Sequence, residues 1–231
     1  MQDGMQTLRQ TVGPGLDREP ATGNSLLSEA IYSHLRKAIV HGDLRPNQRL
    51  IEAELAEDMQ ASRTPVRQTL QRLVLEGLVV RHRFGWAVRE HSAAEIRAIY
   101  EVRTALEGYA AFLAAARATP EEISVLENLH PEGDSAMSIP PATQVDLNEH
   151  FHDGVIGAAG NERLSALCRE SRQYYFNYRI ARLYTDDDTR RSIEGHRRIV
   201  AALAARDSGT AEASARAHVA DALEIVLTKL A

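Results

Sequence analysis

The chain has 231 residues, of which 44% are hydrophobic and 26% charged, and its formal net charge is −5. That length suits one large domain or two small ones, and that composition excludes a wholly disordered chain. The single cysteine, Cys168, excludes an intramolecular disulfide and any multi-cysteine metal site.

No apolar run approaches the ~20 residues that span a bilayer. The N-terminal stretch MQDGMQTLRQTVGPG lacks the basic start and apolar core of a signal peptide. A cytoplasmic protein with no membrane partner is expected. The charge is unevenly spread. Residues 61–91 hold six arginines against two glutamates, a net of +4, whereas residues 92–231 carry a net of −6. One basic segment on an acidic body suggests a local polyanion-binding surface.

Residues 1–25, rich in Gly, Pro, Gln and Thr, read as a flexible tail. A helix is predicted from about Ser28 to Val40, with Ile31, Leu35, Ala38 and Ile39 on one face. A turn at Leu44-Arg45-Pro46-Asn47 follows, then a short helix from Glu52 to about Met59. A third helix begins at Thr64-Pro65, with Thr64 as a cap and Pro65 in the first helical position. Its buried stripe is Val66, Leu70, Leu73 and Val74. Residues Gly77 to Val88 hold two β-leaning stretches around the basic tip Arg83-Phe84-Gly85-Trp86, a small hairpin. Helix, short helix, helix and hairpin is the order of a winged helix-turn-helix.

From Ser92 onward the pattern is helical throughout. A long helix from about Ala93 to Ala118 leads into one starting at Thr119-Pro120-Glu121-Glu122. A loop spans His130 to Pro141. Helices are then predicted at about Thr143–Ala159, Glu162–Leu183, Asp187–Arg206 and Thr210–Leu230. The predicted fold is mainly α: a winged helix-turn-helix with a β-hairpin wing over residues 26–91, and an all-α helical bundle over residues 92–231.

The third helix opens with Ala61-Ser62-Arg63-Thr64-Pro65-Val66-Arg67-Gln68. Its N-terminus offers unpaired N–H groups and a positive dipole end, which suit a phosphate. Arginine serves both guanine readout and phosphate clamping. With Leu70 facing the core, Thr64, Gln68, Gln71 and Arg72 point outward and Arg67 lies at the flank, as a recognition helix requires. Arg83 and Gly85 at the hairpin tip are placed to follow a neighbouring groove. The same features also fit an ordinary amphipathic helix and hairpin.

The stretch GDLRPNQRLIEAELAEDMQASRTPVRQTLQRLVLEGLV resembles the winged-helix signature of the GntR family of bacterial transcription regulators. SRTPVR followed by L-x-x-L-x-x-E-G-L is its most specific part. Two family glycines are replaced, by Asn47 and Gln60. The resemblance implies DNA contacts at Ser62, Arg63, Thr64, Arg67 and the wing tip around Gly85. IYEVRTALEGYAA and FHDGVIGAAGN resemble the FCD domain of the FadR-type branch, and the short helical half is similar to the VanR-type subgroup. The family implies a homodimer on double-stranded operator DNA, controlled by a small metabolite, often a carboxylate, beside a metal.

The histidines bear on this independently. On a helical wheel His152 falls with Val145, Asn148, Val155, Ile156 and Ala159, while His150 falls opposite with Asp146 and Asp153. His196 shares a face with Ile193, Val200 and Leu203, and His218 lies beside Ala211, Ala222 and Ile225. Each alone reads as a core histidine. Three inward histidines on three helices can converge on a metal within a bundle. The family register puts the ligands at Asn148, His152, His196 and His218. Many members have Asp where this chain has Asn148, and a neutral amide oxygen is a weaker donor. Nitrogen-rich ligation suits a divalent ion such as Zn or Ni.

Arg103, in EVRTALE, has two readings: a helix-surface salt bridge with Glu107, or an effector-binding guanidinium that pairs with a carboxylate. Tyr174, Tyr175, Tyr178 and Arg179 read mainly as packing residues. Against a metabolite-responsive regulator stands a metal-dependent enzyme using the three histidines. No HExxH, Ser-His-Asp, P-loop or GxGxxG pattern supports an enzyme, and no catalytic residue is assigned.

Overall fold

The computed structural model describes residues 22–40, 42–83, 85–129, 139–172 and 183–230. The chain divides into two compact units, Met1–Glu90 and His91–Ala231. Most of the expected tail, together with Phe84, His130, Tyr174, Tyr175, Tyr178 and Arg179, lies outside the described residues.

In the first unit, α1 (Thr22–Val40) precedes β1 (Arg49–Leu50), α2 (Glu52–Asp58), α3 (Arg63–Leu75), β2 (Val79–His82) and β3 (Gly85–Val88). Helix α1 begins six residues before the expected Ser28, inside the stretch read as tail. Thr, Gly, Asn and Ser at its start are weak helix formers, so periodicity emerges only from the later apolar residues. The core holds Leu35, Ile39, Val66, Leu70, Leu73 and Leu78, all fully buried.

The expected hairpin is present as β2 and β3, and β1 adds a third strand to it, giving an antiparallel sheet in the order β1-β3-β2. Arg49 pairs with Ala87 and Leu50 with Trp86. A two-residue strand is too short to show alternation. Helix α3 starts at Arg63 with Ser62 as its N-cap, so Thr64 lies inside the first turn rather than capping it.

Among the described residues of this unit, two non-glycine residues adopt left-handed backbone: Asn47 at φ 61° and Gln60 at φ 49°. These are the two positions where the resemblance noted above leads to an expectation of glycine. Asn tolerates this conformation readily, and Gln adopts it at a cost.

The second unit contains α4 (Ala93–Arg117), α5 (Pro120–Glu127), α6 (Pro141–Ala158), α7 (Glu162–Ser171), α8 (Asp186–Ala204) and α9 (Ser208–Leu230). Helix α7 ends at Ser171, well short of the expected Leu183, and residues 173–182 lie outside the described residues. Capping boxes at Ser92/Glu95, Thr119/Glu122 and Thr185/Asp188 open α4, α5 and α8. Helix α4 packs most extensively against α9 and also meets α6, α7 and α8. Its inward face carries Ala110, Ala111, Ala114 and Ala115, all fully buried. These small side chains allow the neighbouring helices close approach. No helix among the described residues is long and apolar enough to cross a membrane.

Candidate nucleic-acid interface and metal centre

In the first unit, α3 buries Val66, Leu70 and Leu73 and presents the opposite face to solvent. Ser62, Arg63, Thr64, Arg67, Gln68 and Gln71 are all exposed on or beside that face. Arg72 is exposed too, but it turns to α1. Its guanidinium lies 3.4 Å from the Tyr32 ring centroid, and Nη1 is 2.7 Å from Glu29 Oε2.

Arg67 donates from Nε and Nη2 to the Glu52 carboxylate, at 3.1 and 2.8 Å. Glu52 Oε1 also accepts from Trp86 Nε1 at 2.9 Å. Hydrogen bonding from Arg67 chiefly, with Trp86 adding to it, holds the Glu52 carboxyl below the usual range. Arg83 is exposed at the wing turn, and Gly85 has φ 132°, a conformation that favours glycine. Trp86, expected at the exposed tip, is instead 7% exposed and part of the core. The pleat turns it inward, opposite Leu50 on β1.

In the second unit, α6, α8 and α9 bring His152, His196 and His218 together. Their ligand nitrogens all lie within 4.8 Å of one another, and all three residues are buried. Nε2 of His218 is 3.3 Å from Nε2 of His152. Two metal–nitrogen bonds of about 2.0–2.1 Å at a tetrahedral angle span about the same separation. Three imidazoles from three helices therefore fit a divalent ion.

Each ring is held by a different device. His152 places Nδ1 2.9 Å from Glu107 Oε2. A carboxylate only accepts, so the ring proton sits on Nδ1 and the Nε2 lone pair points to the cluster. His196 stacks on Phe151 with centroids 3.8 Å apart and an interplanar angle of 15°. His218 lies directly over Gly195, where any Cβ would overlap its Nδ1. Burial, reinforced by His152, pushes His218 down to about 3. Burial and then the charge of Arg172 also lower His152. Both rings are neutral at neutral pH, the form that binds metal.

A cavity of about 90 Å³ opens onto the cluster, lined by Asn148, His152, His196, His218, Arg103 and Arg172 among others. Asn148 sits one turn before His152 on its wall. Its polar lining continues through Gln144, Thr189 and Ser192. His150, by contrast, is exposed, and its Nδ1 pairs with the Asp146 carbonyl at 2.7 Å. The outward placement of Asp146 and His150 is as the wheel indicates.

Arg103 unites the two readings given to it and corrects one. It does pair with Glu107, Nε to Oε1 at 2.8 Å, but the pair is buried rather than on the helix surface. Arg103 also lines the cavity. Burial opposes its charge, and Glu107, with Tyr100 and Glu149 adding to it, more than offsets that, so its pKa is raised. Despite burial, Arg103 and then His152 hold the Glu107 carboxyl well below the usual range.

Arg172 was not indicated by the sequence. Its Nη2 lies 3.3 Å from Glu149 and its Nη1 3.3 Å from Asp153, with Nε 3.9 Å from Glu107. Asp153 is 58% exposed and Glu149 34%. Among the described residues Arg103 and Arg172 are thus buried cations and Glu107 a buried anion, and Arg172 takes its nearer counter-charges, Glu149 and Asp153, from more exposed side chains.

Comparisons with known proteins agree with this architecture. Residues 27–88 match the family described as "Bacterial regulatory proteins, gntR family", and residues 98–221 match the FCD domain. The chain is 35% identical over 176 residues to the Nta operon transcriptional regulator of Aminobacter aminovorans, covering 76% of this chain and 82% of that protein. It is 26% identical over 215 residues to the HTH-type transcriptional repressor GlaR of Escherichia coli, covering 87% and 96%. Its fold is similar to the solved structure of E. coli McbR/YncC, with a TM-score of 0.67 at 22% identity over 89% of this chain and 99% of that one. The relatives are regulators, not enzymes. The chain belongs to the GntR family of bacterial transcription regulators, with a winged helix-turn-helix followed by an FCD domain.

Proposed function

We propose that this regulator binds a two-fold symmetric operator as a homodimer. Residues 26–91 form its DNA-binding domain and residues 92–231 its effector-binding and dimerisation domain. It acts in the cytoplasm. Ser62, Arg63, Thr64, Arg67, Gln68 and Gln71 read DNA from α3, and Arg83 and Gly85 contact it from the wing. The exposed polar face of α3 supports this, since recognition helices reach base edges with long, exposed donors.

The effector is a small organic acid. The observation that carries this is the pair of buried guanidiniums, Arg103 and Arg172, that line one cavity with three converging histidines. A divalent ion at His152, His196 and His218, with Asn148 as a fourth and weaker donor, would supply further positive charge and coordination positions for acid oxygens. Arg103 stands ready as a second clamp. Zn or Ni suits the nitrogen-rich set.

Helix α4 supports the homodimer. It exposes three large apolar residues, Val102 (52%), Tyr109 (47%) and Phe112 (36%). Tyr109 and Phe112 stack at 6.0 Å. Two copies give matched half-sites and double the interface of one small domain.

The test is selection of duplexes from a random pool, followed by mobility shifts with a panel of small carboxylic acids, with and without zinc. A palindromic consensus and an acid that changes affinity at least fivefold only with metal are expected. Selection of no consensus, or indifference to every acid with and without zinc, would overturn the proposal.

A further inference from the structure

Glu52 is an acidic side chain where the proposed DNA surface should repel acids. It stands in the first turn of α2, next to Arg67 of α3, and its carboxylate is only 20% exposed. Any phosphate brought to Arg67 is also brought toward this negative charge. Ordinary solvation does not account for its placement, because the carboxylate is engaged on both oxygens. Oε2 accepts from Arg67 Nη2 at 2.8 Å and Oε1 from Trp86 Nε1 at 2.9 Å, with Arg67 Nε at 3.1 Å from each.

The geometry is side-on: Glu52 takes the Nε–Nη2 edge of the guanidinium. A guanidinium has five N–H donors in a fixed fork. Using this edge leaves the Nη1–Nη2 edge for a second bidentate partner, and Arg67 is 59% exposed. Guanine O6 and N7 form the matching acceptor pair in the major groove. A long arginine side chain otherwise loses much rotamer freedom on docking. Glu52 removes that freedom beforehand, and Trp86 fixes Glu52 from the wing strand β3.

We propose that Glu52 is a positioning residue for sequence readout. It holds Arg67 end-on toward a guanine edge, and it links the recognition helix to the wing through Trp86. It thereby trades affinity for any phosphate backbone against discrimination between sequences. This role rests on the DNA reading proposed above for Arg67. A carboxylate that merely stabilised the fold would not separate these two affinities.

The experiment uses the full chain and two duplexes: the consensus selected by the wild type, and a scrambled sequence of the same composition. For Glu52→Gln the ratio of the two affinities falls roughly tenfold, within the range of one bidentate base contact. Binding to the scrambled duplex tightens at low salt, because a negative charge has been removed. In the Arg67→Ala background, Glu52→Gln no longer changes the ratio. Trp86→Phe, which deletes the N–H and keeps the ring packing, lowers the ratio in the same direction by less. Tryptophan fluorescence and the thermal midpoint report folding of the Glu52 variants, and Glu52→Asp serves if Glu52→Gln is unfolded.

If Glu52→Gln tightens both duplexes by the same factor, the charge acts alone and the positioning role is wrong. If Arg67→Ala itself leaves the ratio unchanged, the DNA reading of Arg67 fails first, and Glu52 has nothing to position.

Discussion

Nδ1 of His152 lies 2.9 Å from Oε2 of Glu107, and the other oxygen of that carboxylate lies 2.8 Å from Nε of Arg103. One buried carboxylate therefore orients a proposed metal ligand and anchors a proposed effector clamp. Any change in one is felt by the other, with no wire longer than a single side chain.

Glu107→Gln tests this linkage. It leaves Arg103 and Arg172 buried without their shared anion, so unfolding free energy should fall by about 3–5 kcal/mol. It also leaves one acceptor oxygen where Arg103 and His152 used two, so His152 loses its charged partner or competes with Arg103 for the amide oxygen, and weakening of such an outer partner costs about 10–100-fold in metal affinity. Denaturant titration and competition with a chromophoric chelator measure the two effects. Unchanged metal affinity in a folded variant would show that Glu107 does not orient a ligand.

Gly195→Ala probes the cluster without touching a histidine. A Cβ there overlaps His218 Nδ1, so the ring must shift. Metal affinity should fall at least tenfold by the same chelator competition, while operator binding without effector stays within twofold of wild type. Full metal affinity would mean that His218 is not a ligand.

Gln60→Gly should stabilise the first unit. Gln60 holds φ 49°, where a side chain costs about 1–2 kcal/mol, and glycine recovers part of that against its own unfolded-state entropy. A gain of about 0.5–1 kcal/mol is expected. Trp86, the single tryptophan of the chain, reports the urea midpoint from within this unit. A lower midpoint would contradict the account of this turn.

Arg63→Ala and Arg67→Ala should each weaken binding to the selected duplex by about 1–3 kcal/mol if a base contact is lost. A lost phosphate contact instead lowers the salt slope by about one. Both side chains are exposed and no shift in folding is expected beyond the small value of a surface ion pair. Affinity unchanged in both variants across several salt concentrations would remove α3 from the interface.

The readable part of the molecule was that carried by long periodic patterns and local chemistry. Apolar spacing gave α3 and α4, and capping residues such as Thr119 and Glu122 marked helix starts. The wheel separated inward His152 from outward His150. Shorter or weaker signals failed. Strand β1 has two residues and no alternation. The start of α1 lies in poor helix formers, and its limit of Ser28 followed the first strong apolar face. Trp86 looked like a wing tip because pairing register is set by the third strand. The supporting partners were the least legible. Glu107 showed only as an i,i+4 neighbour of Arg103, and its contact with His152 depends on how α4 and α6 pack. Arg172 follows α7 with no local pattern to mark it, and Glu52 meets Arg67 only through the tertiary fold.

The central claim is that His152, His196 and His218 form a metal site in the helical half. Its most direct test is the zinc content of the purified full chain after loading and gel filtration, by mass spectrometry. One equivalent per chain in the wild type, and well under half in a folded His218→Ala variant, is the predicted result. A wild-type chain that retains no zinc or nickel above the level of that variant would contradict it, and the three rings would then be core histidines.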